Sequence, residues 1–313
     1  MHIVTVFWGL KKRKYTNLEK NKTKFNFKKT SLFILKVVVA ALIMCFIYSK
    51  IDMKVAKEVL GKLSWMSLVF GSLLFVVSVF CSAFRLTYLI RDIGINISFK
   101  SNAKLYLLGM FYNIFIPGGV GGDAYKIFYL NKKYGLKTKE SFWPFLVDRG
   151  SGLFSLLVLI LLCGFFFKLP NVDHQSEWLL GGIFFGFLSV FLIIGLIRKV
   201  HLKTFFITLP LGFLTHILQA GMVYLFIHEI GVTHHSIEYF FLFFVSSIAS
   251  IIPITPGGMG LREATYQFGA KYLEINPSIG AFVATLFFVI TLVISFTGVF
   301  YHFKGVDNIK QED

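Results

Sequence analysis

Six long runs of apolar residues dominate this sequence and restrict it to a fold that spans a membrane. Across the whole chain 56% of the residues are hydrophobic and only 15% are charged, a balance that a soluble domain cannot bury. A helix of about 20 apolar residues crosses the roughly 30 Å hydrocarbon core of a bilayer. We therefore predict an all-α integral membrane protein with six transmembrane helices, at 31–49, 64–90, 142–167, 178–197, 204–228 and 278–303.

Two further apolar stretches are each broken by the pattern Pro-Gly-Gly-x-Gly. The stretch before the first break, 104–117, is only about 14 residues long and would cover about 21 Å, too short to span. Broken backbone at membrane depth is tolerated only where it is buried in protein or lines a cavity. We predict two re-entrant helical hairpins, whose breaks are formed by Pro117, Gly118, Gly119 and Gly121 and by Pro256, Gly257, Gly258 and Gly260.

The two breaks lie 139 residues apart, and the segments around them follow the same order of span, span, hairpin, span. This order predicts an inverted-topology repeat with halves at about 31–167 and 178–303 inside one transmembrane domain, 31–303. In transporters, paired Gly/Pro-interrupted segments of this kind point to the substrate site at the interface of the repeats.

Lysine and arginine residues test the orientation of these spans. With the N-terminus inside, 22 of them fall on the cytoplasmic side, 7 on the outer side and 3 within spans. The excess favours a cytoplasmic tail at both ends, 1–30 and 304–313. The formal net charge of +16 lies in tails and loops between apolar runs, which indicates anionic lipid and not nucleic acid as the partner.

Arg262 and Glu263 follow the second break directly and are the first candidate site residues. Backbone N–H groups at a helix start attract anions, and an arginine adds a permanent charge whose planar fork fits phosphate. The alternative is that the two residues neutralise each other and cap the following helix. Ionisable residues within a membrane are costly and usually functional, so both interpretations stay open.

Asp123 follows the first break and is the third candidate. It either caps the next helix or pairs with Arg149 or Arg262 across the repeat interface. Arg149, the fourth candidate, is predicted to be a cation that faces a cavity. Its neighbour Asp148 diverges from it by about 100° on a helix, needs other partners and is expected to be a secondary counterpart. Arg85, near the end of its span, is expected to extend to the membrane interface.

No catalytic pattern is present in the sequence. It lacks a G-x-S-x-G elbow, an H-E-x-x-H pair and a Walker A loop. We therefore expect no catalytic residues, no metal and no cofactor, and a transporter more than an enzyme.

Three motifs in order resemble the lysylphosphatidylglycerol synthase transmembrane region family, also called flippase-like domains. They are Asn113–Lys126, Val147–Arg149 and Pro253–Ala264, and the resemblance covers about 31–303. It implies a polytopic domain of the bacterial inner membrane that, in the fused synthases, translocates aminoacylated lipid. The sequence ends at Asp313, so we expect a stand-alone member without the aminoacyl-transferase domain, and the lysine-transfer activity is not carried over.

The expected function is flippase-like transport of a phospholipid or a lipid-linked anionic substrate across the inner membrane. The substrate-binding residues would be Arg149, Arg262, Glu263 and Asp123. The alternative is a membrane-embedded glycosyltransferase, or an accessory protein, that acts on polyprenyl-phosphate-linked sugars. Partners beyond the lipid would be a second copy of the chain or a lipid-modifying enzyme.

Overall fold

The computed structural model describes residues 60–114, 121–168, 174–182, 186, 202–252, 258 and 260–304. The tail 1–30, the predicted span 31–49 and the end of the chain after residue 304 lie outside these residues, as does most of the predicted span 178–197. Every regular element in the described ranges is helical. The helices on which the argument depends are, in chain order, α1 (Trp65–Asp92), α2 (Phe99–Asn113), α3 (Gly121–Tyr134), α4 (Thr138–Gly164), α5 (Leu202–Ile230), α6 (Ser236–Ala249), α7 (Leu261–Gly269), α8 (Pro277–Phe296) and α9 (Val299–Lys304). A further helical stretch covers 175–182.

Four helical stretches of the described chain are long and apolar enough to cross a membrane. They correspond to the predicted spans 64–90, 142–167, 204–228 and 278–303, and their bounds are Trp65–Asp92, Thr138–Gly164, Lys203–Ile230 and Pro277–Phe303. Local signals set the starts of two of them. Ser64 caps α1 by accepting a hydrogen bond from the Ser67 N–H at 3.2 Å. Asn276 caps α8, whose first residue is Pro277.

Two pairs of short helices lie between these spans, α2 with α3 and α6 with α7. We call them the first and the second short-helix pair. Each is divided at a glycine break, of which Pro117, Gly118, Gly119, Pro256 and Gly257 lie outside the described residues. The remaining motif glycines are described: α3 begins at Gly121, and Gly258 and Gly260 have φ of +75° and +81°. Only glycine adopts such angles without strain, so the second break needs glycine at both positions.

The two short-helix pairs pack on the long helices in corresponding ways. Helices α1 and α5 pack along each other, and each short-helix pair is packed internally. The first helix of each pair packs on the long helix that follows the other pair: α2 packs on α8, and α6 packs on α4. The second helix of each pair packs on the long helix that follows it in sequence: α3 packs on α4, and α7 packs on α8.

The apolar core lies where α1, α5, α6 and α8 meet. Phe75 and Phe243 both place their rings edge-on to Phe287, at centroid distances of 5.4 and 5.1 Å. Tyr266 of α7 is fully buried beside them, and its hydroxyl donates to the Tyr239 carbonyl at 2.9 Å. This core anchors the second short-helix pair, so that the polar residues near its break are held on a rigid support.

Candidate functional site

Asp123 binds two cations from different helices. Its carboxylate accepts from Lys126 Nζ at 3.0 Å within α3, and its other oxygen accepts from Arg149 Nε of α4. Burial by itself would raise the pKa of Asp123, but Lys126 and Arg149 together hold that pKa below its ordinary value. Of the two partners left open by the sequence, Asp123 therefore contacts Arg149.

The alternative that Asp123 caps α3 is wrong, because Asp123 is the third residue of that helix. The start of α3 is served by Asn113 at the end of α2. Its side-chain oxygen accepts from the Gly122 N–H at 2.6 Å. Such a bond between the arms satisfies one of the free N–H groups at a helix start.

Lys126 and Arg149 differ in accessibility although they share one carboxylate. Lys126 is only 4% exposed, and its ammonium lies 4.3 Å from the centre of the Tyr106 ring. The Arg149 side chain is 41% exposed. Arg149 is thus the cation of this cluster that a ligand can reach, while Lys126 holds the carboxylate in place.

Arg85 and Asp148 form a buried ion pair between α1 and α4. Arg85 Nε donates to Asp148 Oδ1 at 2.7 Å, and Arg85 is only 6% exposed. The expectation that Arg85 extends to the interface is wrong, because α1 continues for two more turns to Asp92 and keeps Arg85 inside the bundle. Asp148 therefore pairs with Arg85 of α1, whereas its neighbour Arg149 pairs with Asp123 of α3. Consecutive residues of α4 thus form ion pairs with two different helices.

Arg262 of α7 takes neutral partners. Its guanidinium donates to Ser247 Oγ at 2.9 Å and lies 3.5 Å from Ser246 Oγ, both at the end of α6. The Phe287 ring centre lies 4.8 Å from the guanidinium carbon, which stacks over the ring face. Burial lowers the pKa of Arg262 to about 10, with Glu263 opposing the shift, so the side chain stays charged at neutral pH. Within the described ranges, no carboxylate forms an ion pair with it.

Glu263 is directed at the start of its own helix and at α8. One oxygen accepts from the Gly260 N–H at 2.8 Å, and the other accepts from the Thr285 hydroxyl at 3.0 Å. Glu263 therefore caps α7, which is one part of the alternative interpretation of Arg262 and Glu263. The other part, an ion pair between the two residues, is not formed. In this arrangement Glu263 fixes the end of α7 from which Arg262 projects.

Three residues of this region were not among the candidates from the sequence: Lys126, Arg85 and Ser247. The spacing of Ser78, Ser82 and Arg85 is a signal that could have identified one of them, since these positions share one face of a helix. Lys126 lies three residues after Asp123, a spacing that permits a pair within a helix. Ser247 meets Arg262 only because α6 and α7 pack together, which local spacing does not reveal.

The apolar spans, the paired short helices and the charges held between them define a multi-pass, all-helical membrane protein. The family model of the lysylphosphatidylglycerol synthase TM region matches residues 33–209 and 198–298. The chain belongs to that family, which gives it a lipid-related function at the membrane. No curated protein and no solved structure matches it.

Proposed function

We propose that this protein is a flippase that carries an anionic phospholipid, or a lipid-linked phosphate, across the bacterial inner membrane. The observation that carries this proposal is the state of Arg262. It is a permanently charged side chain beside membrane-spanning helices, and its hydrogen-bond partners are two serine hydroxyls.

A cation in this setting favours the approach of an anion. Moving a charge into hydrocarbon costs at least about 3 kcal/mol, and hydroxyls and ring faces offset that only in part. A lipid phosphate faces the same difficulty when its headgroup crosses the bilayer. A planar guanidinium meets two phosphate oxygens at once, so each charge relieves the cost of the other.

Arg149 supplies a second contact for the same phosphate group in this proposal. Its side chain is accessible, and Asp123 holds it in place when no substrate is bound. Asp123 would release one of its two cations to the substrate and keep Lys126, so the carboxylate is never left without a partner. Glu263 contributes by positioning Arg262 through the cap of α7.

An inverted repeat of six spans and two re-entrant hairpins, with both termini cytoplasmic, is the architecture that we propose for this transport. The crossed packing supports it, because α2 on α8 and α6 on α4 are the contacts that an exchange of the two halves would interconvert. A repeat of this kind allows one half to rock against the other around a central site.

The proposal is tested by translocation of fluorescent anionic lipid in proteoliposomes. Arg149→Lys and Arg262→Lys are each expected to slow translocation about tenfold or more, nearly as much as the alanine variants, because an ammonium cannot replace the planar fork. Lys271→Ala is the matched control, since it removes an exposed charge shortly after α7 and leaves the rate unchanged.

Folded arginine variants that translocate lipid at the wild-type rate would show that these residues belong to the scaffold. Transfer of sugar to a polyprenyl phosphate by the wild-type protein, without translocation, would instead favour the glycosyltransferase alternative.

A further inference from the structure

Helices α3 and α4 run antiparallel and are joined at two levels. Arg149 of α4 donates to Asp123 near the start of α3, and Ser141 of α4 donates to Asn131 further along α3. The two contacts are eight residues apart on each helix, which corresponds to about 12 Å along both axes. The helices therefore lie side by side in a fixed register.

The exposed faces of these two helices lie on the same side of the pair. On each helix the exposed residues recur every three or four positions, about a quarter turn around from the residues that contact the other helix. In an antiparallel pair, an offset in the same sense on both helices brings the two faces together. We call the resulting surface the open lane, and its members are Phe128, Lys132, Lys139, Phe142, Leu146 and Arg149.

Charged and apolar side chains follow each other along the open lane. Its two lysines lie next to the loop between α3 and α4, and its three apolar side chains come next. Arg149 lies ten residues after Lys139, about 15 Å along α4. Leu146, one turn before Arg149, is 42% exposed, and Leu153, one turn after it, is 37% exposed. Arg149 is thus an exposed cation with exposed apolar side chains on both sides.

The carboxylates beside the open lane have partners of their own. Asp123 is shared by two cations, and Asp148 pairs with α1. Glu140 projects about 100° around α4 from Lys139, and its carboxylate accepts from the backbone N–H of Lys137 at 3.2 Å. The open lane therefore carries an excess of positive charge.

A surface of this composition suits a phospholipid with a net negative charge. The apolar face of a membrane helix packs well against acyl chains, but a guanidinium among those chains is costly unless an anion accompanies it. Lysines at the level of the headgroups attract anionic lipid. One anionic phospholipid supplies both parts, because its phosphate matches the cations while its chains cover the apolar side chains between them.

We propose that the open lane is a binding site for one anionic phospholipid, which enters it sideways from the bilayer. The phosphate contacts Lys132 and Lys139 first and Arg149 next, while the acyl chains remain in the bilayer against the apolar side chains of the lane. The inference rests on the proposed function only for the transport of the lipid after it reaches Arg149. A lipid held in this way is selected by its charge and not by the length of its chains, since the lane does not enclose them.

The experiment captures the lipid that lies on the open lane of the full chain. The photo-reactive amino acid p-benzoylphenylalanine replaces Leu146, and the protein is placed in vesicles with equal amounts of phosphatidylglycerol and phosphatidylcholine of identical chains. Mass spectrometry after irradiation gives the ratio of the two captured lipids. Leu73 of α1 is the matched control position, because it is 54% exposed and its neighbours on the same face, Val69 and Val77, are exposed and apolar.

We expect the probe at Leu146 to capture phosphatidylglycerol about tenfold more often than phosphatidylcholine, because the lane cations attract a net negative charge. The probe at Leu73 should capture both equally. Arg149→Gln, and separately Lys132→Ala with Lys139→Ala, should each lower the preference at Leu146 to about threefold or less. Lys168→Ala with Lys271→Ala removes the same charge from exposed lysines outside the lane and should leave the preference unchanged.

Equal capture of the two lipids at Leu146 would overturn the inference, and so would crosslinks to a second copy of the chain in place of lipid. If Arg149→Gln fails to fold, the double lysine variant decides, because both lysines are exposed. The transport assay separates this inference from the proposed function. If the lane prefers anionic lipid but the wild type moves none, the transport proposal fails and the binding site stands. If the wild type moves lipid and the lane shows no preference, the reverse holds.

Discussion

Gly109 and Gly122 bring the two arms of the first short-helix pair into backbone contact. A Cβ on Gly122 would lie well inside contact distance of the Gly109 carbonyl oxygen and only 2.6 Å from its carbonyl carbon. A Cβ on Gly109 would collide instead with the buried Lys126 side chain. The same pair of glycines thus sets the spacing of α2 and α3 and leaves room for the lysine that holds Asp123.

Gly122→Ala is expected to destabilise the protein by about 2–3 kcal/mol, because a backbone carbonyl cannot move aside as a side chain can. Gly109→Ala should cost less stability but displace Lys126 from Asp123. Thermal unfolding in detergent measures both. Gly150→Ala is the control, since a Cβ there meets nothing within 4 Å and alanine favours the helix. Equal melting temperatures for all three variants would contradict the close approach.

Gly258→Ala should impair transport while the protein still inserts into the membrane. The substitution forces a side chain onto a φ of +75° and drives its Cβ against Ser250, whose Cα would lie at 2.9 Å. The double variant Gly258→Ala with Ser250→Gly removes the closest clash, which is with the Ser250 Cβ, and keeps the approach to the Cα and the backbone strain, so its activity should fall between those of the single variant and the wild type. The lipid-translocation rate, compared at equal amounts of inserted protein, checks this order. No rescue by Ser250→Gly would exclude the clash with the Ser250 side chain as the cause.

The long spans could be predicted from the sequence because length and apolar composition suffice for a helix in hydrocarbon. The predicted ends of α1 and α4 lie within a few residues of the ends in the structure. The partners of the charged residues were harder to predict, since they depend on which helices pack. The spacing rule correctly separated Asp148 from Arg149 but could not assign Arg85 to Asp148, 63 residues away. The sequence misplaces Arg85 because its partner lies on another helix, and only the packing of α1 against α4 shows that the side chain turns inward.

Asp123→Asn is expected to destabilise the protein by about 3 kcal/mol at neutral pH, because the buried Lys126 loses its counter-charge. The folded pKa of Asp123 lies below the value of about 3.9 of an unfolded carboxyl, so its stabilisation is complete above that value and disappears as the pH falls through the folded pKa. The difference in melting temperature between wild type and variant should stay constant from pH 8 to 5 and shrink below pH 4. Glu177→Gln is the control, since it alters an exposed carboxylate paired with His174 and should change little. A difference that shrinks already near pH 6 would contradict the lowered pKa.

Exchanging Arg262 and Glu263 is expected to abolish both transport and part of the stability, although the net charge is unchanged. The exchange would place an arginine where a carboxylate now caps α7, against the positive end of the helix dipole. It would also place a carboxylate against the Ser247 hydroxyl and the Phe287 ring face, which favours a cation. Each change should cost about 1 kcal/mol or more. Glu263→Gln keeps an oxygen acceptor for the Gly260 N–H and should retain most of the stability and of the translocation rate. Unfolding curves and the proteoliposome assay are run on the exchanged pair beside Glu263→Gln. Full activity and stability of the exchanged pair would contradict both the cap that Glu263 forms on α7 and the need for a cation at position 262.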